Sequence, residues 1–338
     1  MLEVNNKMKV FYHGDMDGIT SGYILCKNII PTQTFNNARK TTENFIEFDY
    51  NKQQNIKDID FNPCEIIYFV DCSPDEEVLE YLLNKVAKIF IIDHHISRKD
   101  MLEKYFAEGK IEGMFYNGAS ATLITYCWAN MIQKEGKTIA EVKEFLDWFS
   151  LSKVNQERAE NIPLSIKLIN SWDIWNGFYI DAEPYKIVFE SKRLTPLDIQ
   201  EIYDLLYNER VISNTIKKGY IMKEQMDNWA RTFMEKYGYE VTYENKSFFV
   251  ANLGNGNSKY FGNRIKNYDA VITYCYNGDL WTMSIYSDDS KDFDCSEFAK
   301  SFGGGGHKKA AGFRTKELPN WIKLKNKNGG IINNENNS

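Results

Sequence analysis

Three short runs in the first half of the chain, Lys9–Tyr12, Ile66–Val70 and Lys88–Ile92, are rich in β-branched and aromatic residues, and stretches of helical spacing separate them. Continuous apolar runs of this length suit strands buried on both faces, the environment of a parallel sheet. The intervening stretches, Ile19–Asn28, Asp75–Lys85 and Ala119–Gln133, predict the crossover helices that parallel strands require. Pro74 after Ser73, followed by Asp75, Glu76 and Glu77, reads as a helix start: proline fits a first turn, and acidic residues favour the positive end of the helix dipole. Alternation of this kind, with right-handed crossovers, predicts an α/β fold on a doubly wound parallel sheet.

Helical spacing from Pro196 to Tyr237 (Ile199, Ile202, Leu206, Ile212, Ile216) predicts a helical connector. A smaller α/β unit is expected from about Val241, with strand candidates Ser247–Leu253, Ala270–Tyr276 and Trp281–Tyr286 and a hairpin turn at Asn277-Gly278. The expected organisation is a first domain at 1–195, a connector at 196–240, a second domain at 241–318 and a disordered, Asn/Lys/Gly-rich tail within 319–338.

The formal net charge of −6 argues against a protein that tracks along duplex nucleic acid, which needs a broad basic face. It leaves nucleotide substrates open, because bound cations supply charge that composition does not count. Six cysteines are scattered without close pairing, a pattern of reduced, intracellular protein rather than of a disulfide framework. The start, MLEVNNKMKV, lacks an apolar leader core, and no run approaches a membrane span, so a cytoplasmic enzyme without membrane contact is expected.

The chemistry lies where the strands end. The first runs into His13-Gly14-Asp15-Met16-Asp17-Gly18, the next ends in Asp71, and the third in Asp93-His94-His95. Ligands of doubly wound sheets bind at the carboxyl ends of the strands, so these groups share one rim. Asp173, within Ser171-Trp172-Asp173, adds a carboxylate in an apolar setting where an unpaired charge is costly. Each ending alone is an ordinary turn or cap; three on consecutive strands point to cations. Mixed imidazole and carboxylate donors suit manganese, cobalt or iron. Two ions about 3.5–4 Å apart, bridged by Asp71, would clamp a phosphate.

In the second unit, Gly303, Gly304, Gly305 and Gly306 are followed by His307, Lys308 and Lys309, and the apolar flanks (Phe298, Ala299, Phe302; Ala310, Ala311, Phe313) read as helical. Such a loop lets backbone N–H groups approach an anion, with added donors and charge from the basic residues. Gly118-Ala119-Ser120-Ala121-Thr122 either presents N–H groups to a phosphate or permits tight helix–sheet packing, the second being preferred. Trp172 and Trp175 are candidates for base stacking, although core packing is the commoner role. Neither a Ser-His-Asp triad nor a P-loop is evident.

In this order, HGDMDG, FVDCS, IIDHH and GASAT resemble the motifs of the DHH phosphoesterase superfamily, and FGGGGHKKAAGF resembles the signature of its DHH-associated C-terminal domain. Together the motifs span about residues 8–175 and 245–315. The resemblance implies a metal-binding catalytic domain at 1–195, a substrate-binding domain at 241–318, and two manganese ions, with cobalt or magnesium as substitutes, at a site between them. Carried over by motif, Asp15 and Asp17 bind one ion each, Asp71 bridges, and His94 and Asp173 ligate. His95 contacts the substrate phosphate or the leaving oxygen, and Gly303, Gly304, Gly305, Gly306 and His307 hold phosphate or base. His13 stands two residues before Asp15, where many members place a histidine ligand four before, and Tyr286 stands where many carry a phosphate-binding arginine.

The implied activity is hydrolysis of short oligonucleotides, in the manner of a nanoRNase or oligoribonuclease (an exonuclease), or of cyclic nucleotides, to nucleoside monophosphates. A phosphatase acting on 3′-phosphoadenosine 5′-phosphate and a catalytically silent nucleotide sensor are the alternatives, the second disfavoured by the full ligand set. A short or cyclic nucleotide is the expected partner, long duplexes are not, and a homodimer is compatible with the sequence.

Overall fold

The computed structural model describes residues 8–40, 42–254 and 258–322. The expected tail from residue 323 onward lies outside them. The chain divides into two compact units, Met1–Met222 and Lys223–Ser338.

In the first unit, β1 (Met8–His13) leads into α1 (Met16–Ile24), α2 (Thr32–Ala38) and β2 (Phe45–Phe48). Next come β3 (Ile66–Val70), α3 (Glu76–Leu83), β4 (Lys88–Asp93), α4 (Lys99–Ala107), β5 (Glu112–Phe115) and α5 (Ala121–Cys127). Five helices complete it: α6 (Ile139–Ser150), α7 (Lys153–Arg158), α8 (Leu164–Asp173), α9 (Ala182–Ser191) and α10 (Ile199–Tyr207). α11 (Glu209–Tyr237) begins here, and the division between the units falls inside it. The stretch expected as a connector is thus α10 and α11.

The five strands pair in the order β2-β1-β3-β4-β5, all parallel. Alternate residues serve opposite faces, as strand geometry requires. Val10, Tyr12, Tyr68, Val70, Phe90 and Ile92 enter one core, while Phe11, Ile67, Phe69, Ile89 and Ile91 enter the other. Both faces are covered, which is why these strands read as continuous apolar runs. β2 was not expected: it is a short edge strand whose Glu47 is exposed.

Register fixes the rim. Tyr12 pairs with Val70, and Val70 with Ile92. The next residues, His13, Asp71 and Asp93, therefore stand level. The chain order reverses between β1 and β3, the switch point at which such sheets bind ligands.

The second unit forms a mixed sheet, β10-β11-β9-β8-β7-β6, with β7 and β8 parallel and the other pairs antiparallel. In chain order these are β6 (Tyr239–Tyr243), β7 (Lys246–Asn252), β8 (Ala270–Tyr276), β9 (Trp281–Tyr286), the helix α12 (Cys295–Lys300), β10 (Gly305–His307) and β11 (Ala310–Thr315). The β8–β9 hairpin turns through residues 277–280, with Asn277 Oδ1 accepting the N–H groups of Asp279 and Leu280. The helical flank expected at Ala310, Ala311 and Phe313 is instead the strand β11, paired along its length with β9; cross-strand partners override the helical propensity of alanine. The expected tail also starts later than residue 319, since Trp321 stacks on Tyr243 at 5.1 Å and Ile322 is buried.

Among the described residues no helix is long and apolar enough to cross a membrane. All six cysteines are free.

α11 crosses α9 at Gly219, where an added Cβ would stand 1.9 Å from the Pro184 carbonyl oxygen. Gly219→Ala therefore forces the helices apart and lowers the free energy of unfolding by about 1–3 kcal/mol. Urea titration checks this; an unchanged midpoint would remove the close crossing from the account.

Candidate metal centre

Asp15 caps α1, its Oδ1 accepting the Gly18 N–H at 3.0 Å. The turn is tight: a Cβ on Gly18 would lie 2.1 Å from the His13 carbonyl oxygen, so only glycine lets α1 start directly over the end of β1. Asp17 follows in the first turn and is buried. Its two carboxylate oxygens accept the N–H groups of Ala121 (2.7 Å) and Thr122 (2.8 Å), while the Thr122 hydroxyl donates to the Asp17 carbonyl at 3.0 Å. The GASAT segment thus presents its N–H groups to a carboxylate of the centre, not to a phosphate. The Ser120 N–H is likewise taken, by Asn170 Oδ1 at 2.9 Å.

Asp71 holds a left-handed backbone, φ 58, and is 1% exposed. A short polar residue tolerates that conformation better than a branched one. His94 Nε2 lies 3.1 Å from Asp71 Oδ1, 3.5 Å from Asp173 Oδ2 and 3.9 Å from Asp17 Oδ2. On the other side, His13 Nδ1 lies 3.0 Å from Asp15 Oδ2 and 3.5 Å from Asp71 Oδ2.

Three sets of donor atoms result: His13, Asp15 and Asp71; Asp71, His94 and His95; Asp17, His94 and Asp173. Within each set the atoms lie inside 4.8 Å of one another. The fold therefore brings together seven of the side chains singled out in the sequence, and β3 places Asp71 between the strands that bring the others. Gly303, Gly304, Gly305, Gly306 and His307 belong to the second unit.

The electrostatics are those of a crowded anionic site. Burial, then the charges of Asp17 and Asp15, push the Asp71 carboxyl well above its usual range. Burial, with Asp17 next, pushes Asp173 up to about 9. Asp15 goes the other way, to about 2, because the close approach and charge of His13, with the Gly18 N–H, outweigh its burial. His13 rises to about 11 through Asp15 and Asp71. Two polar atoms, His13 Nδ1 and Asp173 Oδ2, are buried without a well-formed hydrogen bond. Repelling carboxylates, imidazoles and orphaned donor atoms fit divalent cations. Asp17 retains lone pairs beyond its two amide bonds.

Two supports escaped the sequence reading. Asp93, fully buried, does not face the donor sets: its Oδ1 accepts the N–H groups of His94 and His95 and holds His95 Nδ1 at 2.7 Å. Ser73 donates to its other oxygen. Although burial opposes it, these contacts keep Asp93 below the usual carboxylate range and raise His95 against its own burial. Arg98, whose N–H bonds the His95 carbonyl, lies over the Tyr50 ring at 5.6 Å, and that ring meets those of His13 and His95 edge-on. The Arg98 Nε is buried without a partner. Of the tryptophans, Trp172 packs against the core, whereas Trp175 is 71% exposed.

In the second unit, α12 ends in Gly303 (φ 77), and the Gly303 and Gly304 N–H groups bond the Lys300 and Ala299 carbonyls. Packing explains Gly304 and Gly306, where a Cβ would meet β11 at 2.2 and 2.6 Å; Gly305 faces open space. Lys309 was expected to serve an anion, but its ammonium donates to the Asp288 and Lys291 carbonyls and so anchors a loop.

Residues 7–148 match the DHH family, N-terminal domain. No curated protein matches the chain. Among solved structures, the DHH domain of a member of a family of ribosomal proteins superposes with a TM-score of 0.51 at 16% identity, over 91% of this chain and 82% of that one. A pGpG-specific phosphodiesterase, PggH, from Vibrio cholerae is similar at 14% identity and a TM-score of 0.44, over 92% and 94% of the two chains. An uncharacterized protein from Helicobacter pylori G27 is similar at 16% identity and a TM-score of 0.36, over 92% and 94%. The chain is therefore an α/β protein whose residues 7–148 are similar to the N-terminal domain of the DHH family.

Ligation of a cation stabilises only the folded state. Manganese at a hundredfold over its dissociation constant should add about 2.7 kcal/mol, seen as a raised melting temperature. Asp71→Asn, which keeps a residue suited to the left-handed backbone, should lose most of that gain. An equal gain in the variant would exclude Asp71 as a ligand.

Proposed function

We propose that the protein is a manganese-dependent phosphodiesterase that hydrolyses short oligonucleotides or cyclic nucleotides to nucleoside monophosphates. One observation carries the reading: Asp71 belongs to two of the three donor sets and His94 to two, so the sets adjoin and suit neighbouring cations rather than isolated ones. The match of residues 7–148 to the DHH domain supports it, the superfamily being one of phosphoesterases.

Asp15 with His13, and Asp17 with Asp173, are assigned to one cation each, with Asp71 shared and His94 beside it. When bound, such a pair supplies Lewis acidity and lowers the pKa of water. The mixed imidazole–carboxylate set favours manganese, with cobalt or magnesium as substitutes. The chain's own groups supply the rest. His95, held at Nδ1 by Asp93, is left with Nε2 free to give a proton to the leaving 3′-oxygen. Arg98 offers a guanidinium to the phosphoryl oxygens, a role for which Tyr286 supplies no charge. Gly303, Gly304, Gly305, Gly306 and His307 are assigned to holding the rest of the substrate; Gly305 is the glycine that neither packing nor a left-handed backbone requires.

A panel of dinucleotides, cyclic di- and trinucleotides, 3′-phosphoadenosine 5′-phosphate and a long single strand, each with manganese, tests the reading. Substrates of two to about five nucleotides should be cut far faster than the long strand, since an acidic chain lacks the extended basic, stacking surface a long strand needs. Release of phosphate from the bisphosphate alone would replace the diesterase reading with a phosphatase.

The role of His95 predicts a dependence on the leaving group. Asp93→Asn should slow a dinucleotide by roughly 100-fold or more and a p-nitrophenyl diester much less, because nitrophenolate departs without a proton. Equal losses on both, compared as kcat, would mean that Asp93 only holds the loop.

A further inference from the structure

Beside the metal centre, within the first unit, lies a cavity of about 540 Å³ bordered by Asp15, Ile19, Glu47, Phe189, Arg193 and Leu194. Its volume is that of a pocket for a ligand of nucleotide size, and it opens next to a proposed metal ligand.

Arg193 is the informative residue. Among the described non-glycine residues of the first unit, three hold a left-handed backbone: Asp71 (φ 58), Trp175 (φ 55) and Arg193 (φ 52). Asp71 is in the centre, and Trp175 follows Asp173 by two residues. Arg193 stands just past the end of α9, where helices commonly place glycine. The bond that closes this turn, from the Arg193 N–H to the Glu190 carbonyl at 3.2 Å, is one that any residue but proline could make. The guanidinium enters none of the ion pairs or hydrogen bonds formed among the described residues. An arginine thus occupies a strained position with no hydrogen bond or ion pair of its charged group among the described residues to offset the strain, and it lines a cavity at the site.

The other walls say what the arginine would meet. Ile19, Phe189 and Leu194, each largely buried, make part of its wall apolar. Glu47, on the edge strand β2, makes no ion pair among the described residues, and its carboxylate lies against Gly14, where a Cβ would fall 2.2 Å from Oε1. Glu190, also at the cavity, is paired with Lys186 at 2.7 Å. A phosphate here would face Asp15, Glu47 and Glu190, three groups of its own sign. A neutral heterocycle with one acceptor edge and one donor edge would not. Guanine fits best: O6 and N7 accept two parallel N–H bonds from a guanidinium, and N1–H and the N2 amino group donate to a carboxylate.

We infer that this cavity is a nucleobase subsite in which Arg193 reads the acceptor edge of guanine and Glu47 its donor edge. The inference rests on the phosphodiesterase reading to the extent that the base belongs to the nucleotide whose phosphate is cleaved.

Calorimetric binding of GMP and CMP to the manganese-loaded full-length protein tests it without requiring turnover. The wild type should bind GMP at least tenfold tighter than CMP. Arg193→Gly, which relieves the backbone, should keep or raise the melting temperature, weaken GMP roughly ten- to a hundredfold and leave CMP nearly unchanged. Arg193→Lys should recover part of the loss, and Glu47→Gln should weaken GMP without affecting CMP. Equal affinities in the wild type, equal losses of both nucleotides in Arg193→Gly, or a lower melting temperature accompanying the loss would each overturn the subsite. If GMP binding depends on Arg193 but no diester is cleaved, the subsite stands and the phosphodiesterase reading falls.

Discussion

Four carboxylates, those of Asp15, Asp17, Asp71 and Asp173, are drawn into one region by three chain segments, together with the imidazoles of His13 and His94. Like charges at this separation oppose the fold that gathers them. Much of the surrounding architecture can be understood as what holds them there. The sheet sets Asp71 at the level of His13 and Asp93, α1 starts over the end of β1 because residue 18 is glycine, and α8 delivers Asp173 at its last residue. Burial first, and then the charges of neighbouring carboxylates, push Asp71 and Asp173 upward. Such a constellation has a physical reason to exist where counter-charge arrives from outside the chain.

Most of this region is legible in the sequence because His13, Asp71 and His94 stand at strand ends, with Asp15 and Asp17 just beyond the first. The runs before His13, Asp71 and His94 are apolar enough to mark the strands, and parallel pairing then aligns their ends without further information. All four histidines of the chain fall in the motifs singled out. Other parts resist for definite reasons. Asp93 stands beside two histidines and looks like one more ligand; only the path of the chain after β3, which brings Ser73 to its far oxygen, turns it toward His95. β2 and β6 are short edge strands, and the alternating burial of β6 is too weak to stand out. β11 reads as helix because its alanines and glycine carry little strand propensity, and its partner β9 is distant in the sequence.

The second unit shows how one motif divides among roles. In the glycine run, Gly303 reverses the chain after α12, Gly304 and Gly306 permit close contact with β11, and Gly305 alone has neither a left-handed backbone nor a neighbour that excludes a side chain. Of the two lysines that follow His307, Lys309 turns back to tie the 288–291 loop. The composition of the motif suggests a uniform anion cradle; the geometry separates its folding positions from the one that packing leaves open.

The attachment of Asp17 has a consequence for how the centre withstands mutation. A carboxylate positioned by side chains depends on the identity of each. Asp17 is instead gripped by the amides of Ala121 and Thr122, which every residue except proline supplies. Its aim is therefore a property of where α5 begins rather than of what α5 is made of. Substitutions at 121 and 122 are filtered by whether they let α5 stay against α1, with the Thr122 hydroxyl adding one bond to the Asp17 carbonyl, so this buried arm of the centre is guarded largely by steric fit.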